Sequence, residues 1–439
     1  MKFLTEVPPL PTNFTSRGGL NAALLNGVQR ALETSGLCGV HGEGGMGKTV
    51  ATCAFLRAGE ELEELFPEGV AFATVGQTPH ILNLQAALLR ALGVTRPLVD
   101  TADGYARLLE AIGGRRCLVV LDDVWDAAHL EMFAALHARP KAWRGVVVLF
   151  TTRFAGLAPA HAGAQLLRLG ELTDEEASQL LGISAGESAK TLGALVQLCA
   201  RSPLALSILG AAKSLDLADM AWPEVCKELA SMEKAEKNAV KRCIGLASQR
   251  LAAETRRYYI RLAVFPDDVL LPVDALRTIF SEAINPVLDE LGARHLIRVE
   301  DAAGSAGKVR LHDLSLEFVK ERAAAELAGG ERSLHEDLLA RYGTTLHSEG
   351  QWWTGPNDGY YYEGLLHHLV QAGREVEGRA LILKWEWLWA RMKYTKDVVA
   401  LIGDVRTLAP PGALEAKASP GNATAAAEAG GGRLSPGAK

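Results

Sequence analysis

Eight residues near the N-terminus, Gly42-Glu43-Gly44-Gly45-Met46-Gly47-Lys48-Thr49, leave a chain of this kind few folds to choose from, because they satisfy G-x-x-x-x-G-K-[ST] in full. The motif carries chemistry only between a strand and a helix. Here the apolar run Leu37 to His41 precedes it and a helical pattern, Thr49 to Arg57, follows. Glycines let backbone N–H groups wrap phosphates, and the helix N-terminus adds positive potential. On this reading Lys48 reaches the β- and γ-phosphates of a nucleotide and the Thr49 hydroxyl ligates Mg2+. Taken alone, the run is also compatible with a Gly-rich turn that happens to end in Lys-Thr.

A second segment argues against coincidence. Cys117 to Asp123 reads as a buried strand ending in two carboxylates, and burying charge beside an apolar strand is costly unless a cation or hydrogen bonds compensate. Asp122 is therefore assigned to Mg2+ and Asp123 to orienting or deprotonating an attacking water; the competing reading is a pair of aspartates capping the next helix. Val146 to Phe150 is another apolar strand. Arg153 follows it, at the edge where open α/β sheets bind ligands, and is assigned to the γ-phosphate, with a plain surface arginine as the alternative.

Short apolar β-rich runs (Leu37 to His41, Val70 to Val75, Cys117 to Leu121, Val146 to Phe150) alternate with helical patterns, as in a parallel sheet covered on both faces. Thr173 to Leu229 is helical, with Thr173 as N-cap and Asp174, Glu175 and Glu176 in the first turn. Helices then lead into two runs, Leu296 to Val299 and Val309 to Leu311, which reads as a winged helix. From 326 to about 405 the pattern is helical again. There Leu381, Ile382, Trp385, Leu388, Trp389 and Met392 are assigned to one core-facing helical stripe, with a sugar- or membrane-binding strip as the lesser alternative. After Leu408 Ala, Gly and Pro dominate, as expected of a disordered tail. The fold class is thus α/β: a P-loop NTPase doubly wound parallel sheet, followed by an all-α helical domain, a winged-helix domain and a second helical domain. At roughly 100–200 residues per domain, 439 residues suffice for this.

Composition excludes other classes. Hydrophobic residues at 48% and charged residues at 22% rule out rods and wholesale disorder. A net charge of -6 lacks the basic excess of a phosphate-backbone binder, so nucleic acid is not an expected partner. No signal-peptide core or membrane-length apolar run occurs, and the six cysteines form no Cys-x-x-Cys pair; the expected location is the cytoplasm, with no membrane partner.

In this order the motifs resemble the NB-ARC nucleotide-binding domain shared by apoptotic protease-activating factors and plant disease-resistance proteins, within the STAND signalling ATPases. Leu121-Asp122-Asp123-Val124-Trp125 is typical of it. Arg201-Ser202-Pro203-Leu204-Ala205-Leu206 is similar to the family's G-L-P-L-A motif with Arg-Ser for Gly-Leu, and Leu311-His312-Asp313-Leu314 to its M-H-D motif with Leu for Met. Asn13 to Arg17 looks like the lead segment that contacts adenine, and Trp352-Trp353 with Trp385 to Trp389 like the helical domain that precedes a propeller in apoptotic protease-activating factors.

The resemblance implies a division into a lead segment 1–16, a nucleotide-binding domain 17–160, helical domain 161–232, winged helix 233–325, second helical domain 326–405 and tail 406–439. It implies ATP/ADP and Mg2+ as cofactors, held by Thr15, Arg17, Gly42, Gly44, Gly45, Met46, Gly47, Lys48, Thr49, Val50, Pro203 and His312, with Thr49 and Asp122 on the metal. Pro203 would face the adenine and His312 the β-phosphate; without the family, either reads as structural. The implied function is an ADP/ATP switch, closed with ADP and opening to form a homo-oligomer with ATP, with slow hydrolysis as reset, in cell-death or defence-type signalling. No effector or sensor domain fits in the sequence, so these are expected in trans or on missing segments. Two other classes stay open: a winged-helix DNA-binding regulator, disfavoured by Asp289 and Glu290 on its candidate recognition helix Ile284 to His295, and a housekeeping ATPase.

Overall fold

The computed structural model describes residues 2–77, 79–133, 144–157, 163–183, 188–267, 269–280, 283–300, 307–396 and 398–408. The expected tail from 409 onward, and most of the loop 301–308, lie outside them.

The first part is a five-stranded parallel sheet: β1 (Leu37–His41), β2 (Val70–Gly76), β3 (Leu118–Val124), β4 (Val147–Thr152) and β5 (Gln165–Arg168), in the order β2-β3-β4-β1-β5. Its helices are α1 (Leu20–Glu33), α2 (Lys48–Leu56), α3 (Glu60–Leu65), α4 (Ile81–Ala91), α5 (Thr101–Ile112) and α6 (Ala127–Glu131). Successive strand residues point to opposite faces. In β3, Val119 and Leu121 enter one apolar core while Leu118 and Val120 enter the other, so both faces are covered and the strands read as unbroken apolar runs. Being parallel, the strands bring the P-loop after His41, the Asp122–Asp123 pair and Thr151–Thr152 to one edge.

The strand β5 was not expected. Its pairing with β1 moves residues 165–168 into the sheet and corrects the helical assignment from 161. The sequence hides it because this short edge strand, Gln-Leu-Leu-Arg, has only two apolar residues and alternates between half-buried and exposed positions instead of running apolar.

Next come α7 (Asp174–Leu181), α8 (Ala189–Leu198), α9 (Pro203–Leu215) and α10 (Trp222–Met232). Thr173 caps α7 as expected: its Oγ1 accepts from Glu176 N at 3.2 Å, while its own N–H donates to Glu176 Oε2 at 3.0 Å. Ser202 caps α9, with Pro203 as its first residue.

A third part contains α11 (Ala239–Gln249), α12 (Ala253–Arg261), β6 (Leu271–Pro272), α13 (Val273–Ile279), α14 (Asn285–Ala293), β7 (Arg298–Glu300), β8 (Lys308–Arg310) and α15 (Asp313–Glu326). The strands form an antiparallel sheet in the order β6-β8-β7, the hairpin-plus-helices arrangement expected of the wing. Two charges of this segment, Glu290 in α14 and Arg294 just after it, are engaged within the chain. Glu290 accepts from Ala252 N at 3.2 Å and from the Thr255 hydroxyl, and Arg294 donates to Asp216 at 2.6 and 2.9 Å.

The last part comprises α16 (Gly330–Gly343), α17 (Tyr361–Gln371), α18 (Glu375–Ile382), α19 (Trp385–Thr395) and α20 (Val398–Leu408). Here the expected stripe holds for Leu381 and Ile382, which are buried, and for Leu388, which packs against the core, and is corrected at Trp385 and Trp389. The helix breaks at Leu383–Lys384, so the 3.6-residue period does not carry across; Trp387 is fully buried, whereas Trp385 and Trp389 are 70% and 63% exposed. Trp387 packs instead on Tyr361 and Tyr362. The helix α20 also runs beyond 405, with Leu408 buried.

Candidate functional site

The P-loop turns on two glycines in the left-handed region, Gly45 (φ 78°) and Gly47 (φ 81°), a conformation that L side chains seldom adopt. Space is short as well: a Cβ at Gly45 would stand 3.2 Å from Ser202 Oγ, and one at Gly44 3.2 Å from Arg153 Nη1. The loop delivers Lys48 and Thr49 to the start of α2. Lys48 is buried, and its Nζ donates to Gly42 O (2.8 Å) and Glu43 O (3.0 Å). Burial, then the nearby Arg153, lowers its pKa from the usual lysine value.

Asp122 is 3% exposed, and both its carboxylate oxygens accept from Thr49 Oγ1 at 2.9 Å; Thr151 Oγ1 donates to its Oδ1 at 2.7 Å. Burial pushes this carboxyl up to about 6 against those hydrogen bonds, so its anion lacks full compensation. Two hard oxygen donors side by side in such an environment suit a Mg2+ ion. Asp123 sits at φ 56° where the β3–β4 register shifts, a conformation costing about 1–3 kcal/mol. Its N–H donates to Thr151 Oγ1 (2.8 Å) and its Oδ2 accepts from Trp125 Nε1 (2.7 Å). Burial raises its pKa too.

Arg153 lies on the same edge, its guanidinium carbon 4.4 Å from the centre of the Trp125 ring and its Nε 3.9 Å from Asp123 Oδ1. Its Nη2 pairs with Asp313 across to α15. Arg153 Nε is buried with no hydrogen-bond partner among the described residues. An orphaned donor on a cation at the mouth of a P-loop fits an anionic ligand such as a phosphate.

His312 caps α15, and its Nδ1 accepts from Leu314 N at 3.2 Å. Burial lowers its pKa, with the charges of Asp313, Arg153, Lys48 and Asp123 all acting on it. A neutral ring that accepts at Nδ1 carries its proton on Nε2 and is a donor there.

The other expected residues meet the loop from elsewhere. Arg17 donates to Met46 O and Gly170 O, both at 2.6 Å, and a Cβ at Gly47 would stand 3.9 Å from both Arg17 Nη2 and Pro203 Cγ. Ser202 Oγ donates to Gly45 O at 3.2 Å. Thr15 and Val50 are half-buried, two residues before Arg17 and one after Thr49; no side-chain hydrogen bond or ion pair among the described residues ties either to the cluster. Sequence reasoning assigned no role to Trp125, Thr151, Ser202 or Asp313. The sharpest overlooked signal was the hydroxyl pair Thr151–Thr152 closing an otherwise apolar strand.

Comparisons with known proteins agree with this geometry. The NB-ARC domain family matches residues 22–190 and the APAF-1 helical domain family residues 332–408. Apoptotic protease-activating factor 1 of Danio rerio is 25% identical over 410 residues, covering 87% of this chain and 31% of the relative; its Homo sapiens counterpart is 24% identical over 414 residues, covering 88% and 32%. The putative disease resistance RPP13-like protein 3 of Arabidopsis thaliana is 23% identical, covering 66% of this chain and 38% of the relative. The chain thus spans about a third of the length of the apoptotic protease-activating factors it matches. Among solved structures, a STAND protein with a tetratricopeptide repeat sensor from Pyrococcus horikoshii shares the fold, with TM-score 0.53 at 15% identity, covering 94% of this chain and 60% of that one. No helix among the described residues is long and apolar enough to cross a membrane.

Proposed function

We propose, from its matches to the NB-ARC domain and APAF-1 helical domain families and its similarity to apoptotic protease-activating factors and plant disease-resistance proteins, that this chain is an NB-ARC protein and an ADP/ATP-dependent switch. The observation that carries the reading is the convergence of three separate parts of the chain on one P-loop: Ser202 reaches Gly45, Arg153 pairs with Asp313, and Arg17 clasps Met46. A nucleotide bound there touches every part at once, so a change of nucleotide can change how the parts pack.

Lys48 neutralises the β- and γ-phosphates, and Thr49 with Asp122 holds Mg2+, which supplies charge neutralisation at the phosphates. Asp123, oriented by Trp125, positions or deprotonates the attacking water in a slow reset hydrolysis. Arg153 exchanges its pairing with Asp313 for the γ-phosphate of ATP, loosening α15 from the sheet. Pro203, Thr15 and Arg17 flank the adenine side, and His312 donates its Nε2 proton to the β-phosphate of ADP. The closed form holds ADP; the ATP form exposes a surface for a homo-oligomer, and effector or sensor proteins act with it in cell-death or defence-type signalling.

The nucleotide that copurifies, read by chromatography after denaturation, tests this. Bound ADP is expected. Protein free of nucleotide that also fails to take up ADP would sink it.

A further inference from the structure

Three histidines meet between α16 and α17, remote in sequence from the P-loop. His335 on α16 and His367 and His368 on α17 each bring a ring nitrogen within 4.8 Å of the other two. His335 (1% exposed) and His368 (0%) are buried; His367 is half-buried. The Nδ1 atoms of His335 and His368 are 2.8 Å apart, so a single proton joins two nitrogens. The Tyr360 hydroxyl lies 2.8 Å from His368 Nε2. If His368 donates from Nε2 to Tyr360, its Nδ1 is a bare lone pair, the shared proton belongs to His335 Nδ1, and His335 Nε2 is bare too. In the opposite tautomer His335 Nε2 carries a proton. Either way His335 Nε2 is buried with no hydrogen-bond partner among the described residues, an arrangement that folded chains rarely keep without a reason.

We propose that His335, His367 and His368 form a binding site for one divalent transition-metal ion, zinc above all, with the fourth position open to water beside His367. Nitrogen-only donors select against Mg2+ and Ca2+, and three imidazoles with an open position are an established zinc donor set. Zn–N bonds of about 2.0–2.1 Å at tetrahedral angles separate ligand nitrogens by about 3.4 Å, so rings already this close need to shift by only an ångström or so. The Tyr360 contact at His368 Nε2 is the outer hydrogen bond that metal-binding histidines usually make, leaving Nδ1 for the ion. Burial holds His335 down to about 4 and His368 well below the usual histidine value, so both rings keep lone pairs at neutral pH. The ammonium of Lys320 acts against a cation here, and its contact with Asp267 at 3.3 Å tempers it. The bound ion would clamp α16 to α17.

The test uses the full, tag-free chain with MgADP present, so that the P-loop takes no zinc. Zinc ion is added, the excess is removed by gel filtration, and metal content and melting temperature are measured; Co2+ substitution then reports ligand type. One zinc per chain, a raised melting temperature and a cobalt spectrum without thiolate charge transfer are expected. His367→Ala, and His367→Gln as the volume-retaining control, should weaken zinc binding by at least about tenfold and abolish the thermal shift, while ADP binding is retained. Failure of the parent chain to retain zinc, or zinc content and thermal shift in both variants equal to the parent's, overturns the proposal.

Discussion

Arg153, at the end of β4, pairs its guanidinium with the carboxylate of Asp313, which begins α15 160 positions later. The same guanidinium stacks on Trp125, and Trp125 in turn donates to Asp123. One cation thus joins the sheet edge that carries the two aspartates to the helix that His312 caps. Anything that draws Arg153 toward a phosphate also weakens the contact that holds α15 in place.

Lys48→Arg keeps the charge but replaces a compact ammonium, now seated on Gly42 O and Glu43 O, with a planar fork that does not fit that cradle. ADP affinity should fall at least about tenfold, on the order of 1.4 kcal/mol. Unchanged affinity by calorimetry would contradict the P-loop assignment.

Asp123→Asn should leave nucleotide binding intact and stop hydrolysis, because Asp122 and Thr49 still hold the metal. Trp125→Phe removes only the donor to Asp123 Oδ2, keeping a ring under Arg153; it should slow turnover by about tenfold to a hundredfold, the worth of one hydrogen bond to a charged group. Equal loss of binding and turnover in Asp123→Asn would mean that the two carboxylates are misassigned.

The raised pKa of Asp122, about 6, predicts a pH dependence of known sign. The folded state holds this proton more tightly than the unfolded chain does. The group's contribution to stability is therefore fully present below its ordinary value of 3.8 and is lost as pH rises through about 6. Mg2+ needs the deprotonated form, so the gain in ATP affinity from Mg2+ should be constant above about pH 7 and fall by on the order of tenfold per pH unit well below 6. Calorimetric titrations with and without Mg2+ across this range measure it. A Mg2+ effect that is flat down to pH 5 would rule out Asp122 as its ligand.

His312 combines two roles that a pair of substitutions can separate. Alanine removes both the cap on Leu314 N and the Nε2 donor, whereas asparagine is a good cap residue without the reach of the ring. If His312 serves the β-phosphate, both variants release ADP faster, by roughly 5- to 150-fold, with stopped-flow displacement as the readout. Asparagine restoring the parent's release rate would reduce His312 to a helix cap.

Much of this was legible in the chain itself, and the gaps have physical causes. The buried strands and the P-loop could be read because strands covered on both faces must be apolar throughout and the motif demands a strand before it and a helix after it. The Thr173 cap follows from local backbone chemistry. The edge strand β5 was missed because half of it faces water. Trp385 and Trp389 were misplaced because a break at Leu383–Lys384 resets the helical phase, which no periodicity spanning both helices can reveal. The Arg153–Asp313 pairing was out of reach for a simpler reason: nothing local in sequence signals a contact across 160 residues.

The central claim, that the nucleotide decides how the parts pack around the P-loop, is tested most directly by small-angle scattering of the full chain, saturated in turn with ADP and with a non-hydrolysable ATP analogue plus Mg2+. The account predicts a compact monomer with ADP and a larger particle with the analogue, either opened or assembled, and predicts that Arg153→Ala loses the difference. Superimposable scattering curves in the two nucleotides, with both shown to be bound, would contradict it.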